Sequence, residues 1–426
     1  MKKLILILLI SALATGIFAG CGSKPASSSE GAAPETTKAA ANDTTAAPAE
    51  KTKITLWVYM ENENQQQAID NIIKGFNGSQ NEIEVIKEYI PFADFKKQLS
   101  IGLAASELPD TVIIDNPDMA AYSAMGLFAD ITDKIKDWPD KDQYFPGPWK
   151  STVYNGKSYG IPFGSNCLAL FYNEDMLAKA QVKPPVTWDE LRDAAKKLTG
   201  NGVQGMAVSA VNTEEGTFQF IPWLLSSGAT AEKADGPEGI KSFSLLNNLI
   251  KDGSMSKEVI NWTQGDVAKQ FIAGKVAMML NGPWQIPGIK KDAPNLKFNV
   301  TLTPKDKEFS SVLGGENWGV VNGKNVDASV KFLMYAVKPD VLKSYISEFG
   351  YLPSRKDVAA DPVFTGDPLM KVFGDQLQYA MPRGPSPKWP ELSSAISTAL
   401  QETLTQNKTP ETAAKDAQAK IDKILK

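Results

Sequence analysis

The sequence predicts an α/β fold, and three observations lead to that prediction. Short runs rich in β-branched and aromatic residues alternate with stretches in which apolar residues recur every three or four positions, which is the pattern of strands alternating with helices. The composition, with 42% hydrophobic and 22% charged residues, is that of an ordinary globular protein. The chain of 426 residues is also long enough for two domains.

The first elements of the folded part form a predicted βαβαβ unit. They are, in order, strand 54–59, helix 64–76, strand 83–86, helix 92–105 and strand 111–114. Ligands of open α/β sheets collect at the carboxyl ends of the strands. Glu61 and Asn62 follow the first strand and Asp115 and Asn116 follow the third, so we predict that these four residues contact a ligand. For Asp115 and Asn116, a solvated loop or a helix cap is the alternative.

The middle of the chain continues the alternation of strands and helices. Apolar strands are predicted over residues 167–172 and 276–280. Thr187 and Glu190 have the spacing of a capping box, which predicts a helix start at this point. Trp188 lies between them, and we therefore expect it to pack beside the helix start rather than to contact a ligand.

The N-terminus carries the pattern of a secretory signal. Two lysines precede an apolar run over residues 4–14, and small residues then lead to Cys21. This pattern resembles the signal of bacterial lipoproteins, in which the cysteine receives a diacylglycerol and becomes the new N-terminus. The resemblance implies a signal peptide over residues 1–20, lipidation of Cys21 and a membrane anchor made of acyl chains. A cleaved signal followed by an incidental cysteine is the alternative.

The segment after Cys21 cannot form a core. Residues 21–51 consist mostly of Gly, Ser, Ala, Thr, Pro, Lys and Glu, a composition that offers almost no apolar area to offset the entropy lost on folding. We therefore predict a lipidated cysteine followed by a flexible tether over this range.

The composition also excludes several classes of protein. The chain contains no histidine, which rules out Ser-His-Asp and Cys-His catalysis and histidine-based zinc sites. Loss of the signal changes the formal net charge from −4 to −6, and nucleic acid would require a basic surface instead. No Gly-rich phosphate loop or calcium-loop spacing is present in the sequence. We predict no cofactor, no metal at the ligand site and no nucleic-acid partner, and a structural calcium held by oxygen ligands stays open.

Six strings in a fixed order identify a family resemblance. They are the aspartates of PD…D (Asp110 and Asp115), YGIPFGSNCLALFYN (159–173), PVTWDEL (185–191), FIAGKVAMMLNGPW (271–284), GGENWGV (314–320) and GYLPSR (350–355). In this order they resemble the extracellular solute-binding proteins of carbohydrate ABC importers, the family of maltose-binding protein. The resemblance covers essentially all of the chain after the tether.

This resemblance implies a periplasmic-binding-protein type II fold, with two α/β lobes joined by hinge strands and a ligand cleft between them. It places lobe one at residues 52–163 plus 318–372, and lobe two at residues 164–317 plus 373–426. It implies a monomer, without enzymatic activity, that closes on an extracellular sugar and delivers it to the permease of an ABC importer. With the lipid anchor, the protein would lie at the cell surface, on the outer face of the cytoplasmic membrane.

Tryptophans are the aromatic candidates for the ligand site, because a sugar ring has an apolar face that a flat indole can cover. Trp284 follows a strand end and a Gly-Pro turn and matches the family's GPW position. Trp223, Trp318 and Trp389 are further candidates, and Trp389 is similar to a late aromatic that stacks on sugar in relatives. For each of these residues, packing in the core is the alternative.

Planar polar side chains complete the predicted site, since each can meet two neighbouring hydroxyl groups. Asn166 lies where relatives often carry an acidic or amide ligand residue. Glu316 and Arg383 are also candidates, although a salt bridge or simple exposure would explain them as well.

Two other functions stay open at this point. A secreted glycoside hydrolase needs only a pair of carboxylates, and turnover of a sugar would reveal one. The same fold could also bind a non-sugar solute, and a cation would favour a more acidic aromatic site. Several stacking candidates favour an oligosaccharide over a monosaccharide, but the sequence does not specify which one.

Overall fold

The computed structural model describes residues 50–384 and 386–426. The predicted signal peptide and all of the predicted tether except its last two residues lie outside the described residues. Within the described ranges, no helix combines the length and the apolarity needed to cross a membrane.

The strands are β1 (Thr52–Val58), β2 (Ile83–Tyr89), β3 (Thr111–Asp115), β4 (Val153–Tyr154), β5 (Lys157–Ser158), β6 (Gly160–Asn166), β7 (Ala169–Asn173), β8 (Met278–Asn281), β9 (Phe298–Thr301), β10 (Ser311–Val320) and β11 (Ala380–Pro382). The helices are α1 (Glu63–Ser79), α2 (Phe92–Ala105), α3 (Asp118–Ala124), α4 (Thr132–Ile135), α5 (Pro146–Ser151), α6 (Glu174–Lys179), α7 (Trp188–Leu198), α8 (Glu214–Ser226), α9 (Pro237–Lys251), α10 (Gln264–Ile272), α11 (Gln285–Asp292), α12 (Val326–Ala336), α13 (Pro339–Phe349), α14 (Lys356–Ala359), α15 (Pro362–Thr365), α16 (Pro368–Leu377), α17 (Trp389–Leu404) and α18 (Pro410–Leu425). Two single-turn 3₁₀ helices cover Pro139–Gln143 and Lys257–Ile260.

The first sheet is built on the predicted βαβαβ unit, which the structure confirms. Strand β1 lies between β2 and β3 and runs parallel to both. On the far side of β3 lies β10, antiparallel to it, and β10 in turn pairs with β6 and β11. Helices α1, α12 and α13 pack together on this sheet, and the apolar face of α1 (Ala68, Ile69, Ile72 and Phe76) is buried there.

The second sheet is smaller and forms around the apolar strand β7. Strands β8 and β9 flank β7, both antiparallel to it. The backbone at Gln204 and Ala207 pairs in parallel with Val276 and Met279 and so extends the sheet beyond β8. Helices α8, α9, α17 and α18 pack against one another as a separate layer. Strands β7 and β8 are buried on nearly all of their residues, which agrees with the apolar runs that predicted them.

The two sheets are connected by strands that pass from one to the other. The chain leaves the first sheet through β6 and enters β7 two residues later, and it returns from β9 through β10. Gly315, at φ +130°, lies so close to β6 that an added Cβ would collide with the carbonyl of Gly164. A glycine at this position therefore permits the irregularity in pairing that follows at Glu316.

The structure confirms the capping box at the start of α7. Thr187 and Glu190 exchange the two expected hydrogen bonds. Trp188 is buried, as predicted, and its indole N–H donates to the carbonyl of Pro304 at 3.1 Å.

Candidate functional site

A cavity lies between the two sheets. Its volume is about 120 Å³, and it is partly open to solvent. Its lining is aromatic and acidic and consists of Tyr59, Met60, Glu61, Asn62, Gln65, Phe92, Asp115, Asn166, Glu214, Glu215, Phe218, Gln264, Gly265, Trp284, Gln285, Gly315, Glu316, Tyr351 and Arg383.

The lining comes from strand ends on one side and from helix starts on the other. Residues 59–62 follow β1, Asp115 ends β3, and Asn166 ends β6. From the opposite side, helices α8, α10 and α11 all present their first turns. Backbone N–H groups and the positive end of the helix dipole lie at such helix starts. This side of the cavity therefore favours nearby hydrogen-bond acceptors, such as carboxylate oxygens.

Arg383 is the centre of a buried charge network. Its guanidinium holds both oxygens of Asp115 at 2.6 Å, and its Nη1 also donates to Glu214 Oε1 at 2.6 Å. The cation lies over the ring of Phe218, 4.5 Å from its centre. Burial lowers the pKa of Arg383, but Asp115 and Glu214 together raise it above its ordinary value, so the guanidinium stays charged.

Glu214 joins this network to two further residues. The indole N–H of Trp389 donates to its two oxygens at 2.9 and 3.0 Å, and the ammonium of Lys96 lies 3.5 Å from Oε2. Burial alone would raise the pKa of Glu214, but Lys96 and Arg383 hold it below its ordinary value. Glu214 is therefore an ionised, fully engaged carboxylate.

Glu316 is held differently, by neutral donors. The hydroxyl groups of Tyr59 and Tyr351 donate to its Oε1 at 3.2 and 2.9 Å. Its Oε2 is buried and has no hydrogen-bond partner among the described residues. Burial, reinforced by the charge of Asp115, raises the pKa of Glu316 to about 8.

Glu215 and Glu61 approach the start of α10 from different elements. The backbone N–H of Gln264 donates to Glu215 Oε1, and the Glu61 carboxylate lies beside Gly265. Burial raises the pKa of Glu215 to about 7, and the charge of Glu61 adds to this effect. The pKa of Glu61 is itself raised, by burial and then by Asp266.

Trp284 lies between two aromatic rings of the lining. Its ring centre is 6.2 Å from that of Phe218 and 6.1 Å from that of Tyr351. The indole folds back over Gly282, where an added Cβ would overlap the six-membered ring. The glycine of the GPW string therefore leaves the space that the tryptophan ring occupies. The side chain of Asn62, on the other side of the cavity, donates to the Trp284 carbonyl at 3.4 Å.

The structure brings seven of the residues predicted as ligand contacts to this cavity: Glu61, Asn62, Asp115, Asn166, Trp284, Glu316 and Arg383. Four others are not part of its lining. Asn116 is buried, and its backbone N–H donates to the Gly315 carbonyl at 3.0 Å. The rings of Trp223 and Trp318 are completely buried, Trp223 beside Trp188 and Trp318 among Phe163, Phe332 and Tyr345.

Trp389 is 2% exposed and positions Glu214 through its N–H instead of offering a face to a ligand. Asn116 and these three tryptophans are consequently left out of the proposed site. Trp223, Trp318 and Trp389 are packed in the interior, which was the alternative to ligand contact.

Several lining residues were not predicted from the sequence. Glu214 and Glu215 follow Thr213, whose side chain caps α8, so a pair of acids at this point also has the pattern of an ordinary first turn. Tyr351 lies within the GYLPSR string and could have been proposed from it. Tyr59, Phe92, Phe218 and Gln264 carry no local signal, because only the fold brings them to the cavity.

The raised pKa values predict an unusual pH dependence of the ligand-free protein. Glu215 and Glu316 have folded-state pKa values of about 7 and about 8, against an ordinary value of 4.5. At a pH between the ordinary value and the raised value of each group, the folded state therefore binds more protons than the unfolded state. Stability should fall as the pH rises from about 5 to 7, by up to about 1.4 kcal/mol per pH unit for each carboxylate. The chain has no histidine to add its own slope in this window.

Urea titrations between pH 5 and 7 would measure this slope. Glu215→Gln and Glu316→Gln should each flatten it, whereas Glu411→Gln, on the exposed start of α18, should not. A slope that is the same in all four proteins would contradict the assignment.

The fold and the cavity define a class, that of two-lobed proteins that enclose a solute between their lobes. A solved ABC transporter solute-binding protein from Thermotoga lettingae, bound with α-D-tagatose, superimposes with a TM-score of 0.82 at 28% sequence identity, covering 88% of this chain and 100% of that one. The predicted type II periplasmic-binding-protein fold is thus confirmed.

The sequence gives the same result. The model of the bacterial extracellular solute-binding protein family matches residues 71–372, and the chain belongs to that family. The maltotriose-binding protein of Pyrococcus abyssi is 28% identical over 370 residues, covering 83% of this chain and 77% of the relative. The sn-glycerol-3-phosphate-binding periplasmic protein of Escherichia coli is 23% identical over 425 residues, covering 88% and 93%.

Proposed function

We propose that this protein binds an extracellular sugar in the cavity and delivers it to the permease of an ABC importer. The observation that carries the proposal is the lining itself, in which Trp284, Tyr351 and Phe218 lie beside the planar polar side chains of Asn62 and Asn166. Flat rings suit the apolar face of a pyranose, and amides and carboxylates suit its hydroxyl groups. The maltotriose-binding and tagatose-bound relatives support this class of ligand.

The ligand residues of the proposed site are Glu61, Asn62, Asp115, Asn166, Trp284, Glu316 and Arg383, with Tyr59, Glu215, Phe218 and Tyr351 added from the structure. Asp115 and Arg383 are already bound to each other, so they would position the wall of the site and offer only their remaining hydrogen-bonding capacity. We expect an oligosaccharide, because the relative from Pyrococcus abyssi is a maltotriose-binding protein.

The mechanism would be closure of two lobes on the solute. We place lobe one at residues 52–163 plus 318–372, and lobe two at residues 164–317 plus 373–426. The boundary after residue 163 falls within β6, and the boundary after residue 317 falls within β10. These two strands connect the sheets, and a small change of their backbone angles would rotate one sheet against the other. A ligand that contacts both walls shifts the equilibrium toward the closed form.

An anionic solute such as a phosphate ester is disfavoured by the charges of the cavity. Five carboxylates line it against one guanidinium, and that guanidinium is already paired with Asp115 and Glu214. A phosphate would therefore meet net repulsion.

A glycoside hydrolase is the alternative that the carboxylates keep open. Asp115 and Glu214 are bound to Arg383, so neither can act as a free nucleophile or proton donor, whereas Glu61, Glu215 and Glu316 have no such partner among the described residues. Because the chain belongs to a family of solute-binding proteins, we propose binding without turnover, and the appearance of hydrolysed sugar in the presence of purified protein would contradict this.

A thermal-shift panel tests the proposed function. The protein from residue 50 onward would be melted with mono- and oligosaccharides, with glycerol phosphate, and with peptides, because a ligand that binds only the folded state raises the melting temperature. We expect at least one oligosaccharide to give the largest shift. A panel in which only peptides or phosphate esters shift the protein would overturn the proposal.

We further propose that the mature protein is a monomer, held by lipid on Cys21 at the outer face of the cytoplasmic membrane. Two or more acyl chains anchor stably, at ~0.8 kcal/mol per buried methylene. Cys21→Ser should abolish the anchor, so the protein should move from the membrane fraction to the medium or the soluble fraction. Retention of the variant in the membrane fraction would mean that the signal remains as an uncleaved anchor.

A further inference from the structure

The cavity lining has more carboxyl groups than cationic groups. Five lining residues are carboxylates: Glu61, Asp115, Glu214, Glu215 and Glu316. Among the described residues, Arg383 is the one cation of the lining, and it is committed to Asp115 and Glu214. Lys96, at the edge of this network, lies 2.9 Å from Asp118, which is a further buried acid.

Three of the five carboxylates have no cationic partner. Among the described residues, no lysine or arginine nitrogen lies within 4.0 Å of Glu61, Glu215 or Glu316, in contrast to Asp115 and Glu214. The cation that acts on Glu61, Lys269, is itself bound to Asp266 at 3.0 Å. Carboxylates buried in this way are unfavourable unless a charge or a proton compensates them.

Unused hydrogen-bond acceptors in the same lining give a second, independent observation. Glu316 is 7% exposed and its Oε2 has no partner in the described structure. Asn166 is 3% exposed and its Oδ1 is also without a partner. Tyr59 and Tyr351 already donate to the other oxygen of Glu316, so when this carboxyl is ionised, its Oε2 and the Oδ1 of Asn166 both lack a donor.

A protonated amine satisfies both observations at once. It supplies three donors and one positive charge, whereas a hydroxyl group supplies one donor and no charge. The rings of Tyr59, Trp284 and Tyr351 lie in the same lining, and aromatic faces attract cations. Phe218 already makes a cation–π contact of this kind with Arg383.

We infer that the sugar taken by this cavity carries a basic amine, and that Glu61, Glu215 and Glu316 neutralise it. The inference rests on the proposed function and narrows it from carbohydrates in general to cationic amino sugars. Glu61 follows β1 and Glu215 lies in the first turn of α8, so an ammonium group between them would bridge the two walls of the cavity and favour closure.

Calorimetric titration with matched sugars tests the inference. The probes are disaccharides of the gluco and galacto series that carry, at the same position, a hydroxyl group, an N-acetyl group or a free amine. Putrescine, an amine without a sugar ring, is titrated beside them. We expect the amine form of the better series to bind at least tenfold more tightly than both neutral forms. Glu215→Gln and Glu316→Gln should each reduce the ratio of amine to neutral affinity at least fivefold, whereas the surface control Glu411→Gln should leave the ratio unchanged.

The outcomes separate the two proposals. A neutral sugar that binds as tightly as its amine counterpart overturns this inference and leaves the proposed sugar binding intact. An amine preference that survives both glutamine variants has the same consequence. Binding of putrescine without binding of any sugar overturns the proposed function but keeps the cationic site. Absence of binding by every probe overturns both.

Discussion

Arg383→Met should destabilise the protein by roughly 3–5 kcal/mol, because removal of one partner from a buried ion network leaves uncompensated charge. In the wild-type protein, Arg383 neutralises Asp115 and Glu214, which are both buried and both 2.6 Å from its nitrogens. Methionine fills a similar volume but supplies neither charge nor donors. The free energy of unfolding, measured in urea at pH 7, gives the cost directly.

The chain offers a matched control. Arg192 makes a two-pronged contact with Asp252, at 2.6 and 3.1 Å, but its side chain is 36% exposed. Arg192→Met should therefore cost less than about 1 kcal/mol. Equal costs for the two substitutions would show that burial of the Arg383 network does not determine its energetic role.

A compensating variant tests the electrostatic cause. Asp115→Asn and Glu214→Gln added to Arg383→Met remove the two negative charges that the first substitution leaves behind. Since a neutral buried network lacks the uncompensated charge, the triple variant should recover part of the lost stability. A further loss would indicate that the guanidinium acts mainly through shape and hydrogen bonding.

Trp284→Ala should weaken the best sugar ligand more than tenfold, or by about 1.4 kcal/mol or more, while the protein still folds. The indole lines the cavity between Phe218 and Tyr351, and alanine removes the flat surface on which a pyranose would stack. Titration of the best ligand from the thermal-shift panel measures the loss, and circular dichroism checks the fold.

Two further substitutions separate stacking from general packing. Gly282→Ala adds a methyl group where the Trp284 ring lies, so it should displace the indole and also weaken binding. Trp138→Ala removes a half-buried tryptophan that packs on Tyr144 outside the cavity lining and should leave affinity unchanged. Unchanged affinity in Trp284→Ala would mean that its ring is only a core residue.

The sequence predicted the elements that carry strong local patterns. The βαβαβ opening, the capping box at Thr187 and the apolar strands β7 and β8 all follow from the spacing of apolar and capping residues over short distances. Positions at strand ends were also informative, since Glu61, Asn62 and Asp115 lie at the cavity. These features depend on neighbours along the chain, which the sequence displays directly.

Exposure of individual tryptophans could not be predicted in this way. Trp223, Trp318 and Trp389 follow Pro or Gly-rich segments much as Trp284 does, but they are fully or almost fully buried. A tryptophan has the same local pattern whether its ring packs inside a lobe or faces the cleft. Whether the ring is buried or faces the cleft depends on the orientation of the strand or helix on which the tryptophan lies.

The sequence by itself determined the α/β alternation, the family, and the absence of histidine chemistry, because each is written in composition or in contiguous strings. Only the tertiary structure decided which charges meet. Arg383, Asp115 and Glu214 come from distant parts of the chain and form one network, while Glu316 receives only tyrosine hydroxyl groups. Electrostatic partners depend on distance through space and on burial, and chain position specifies neither.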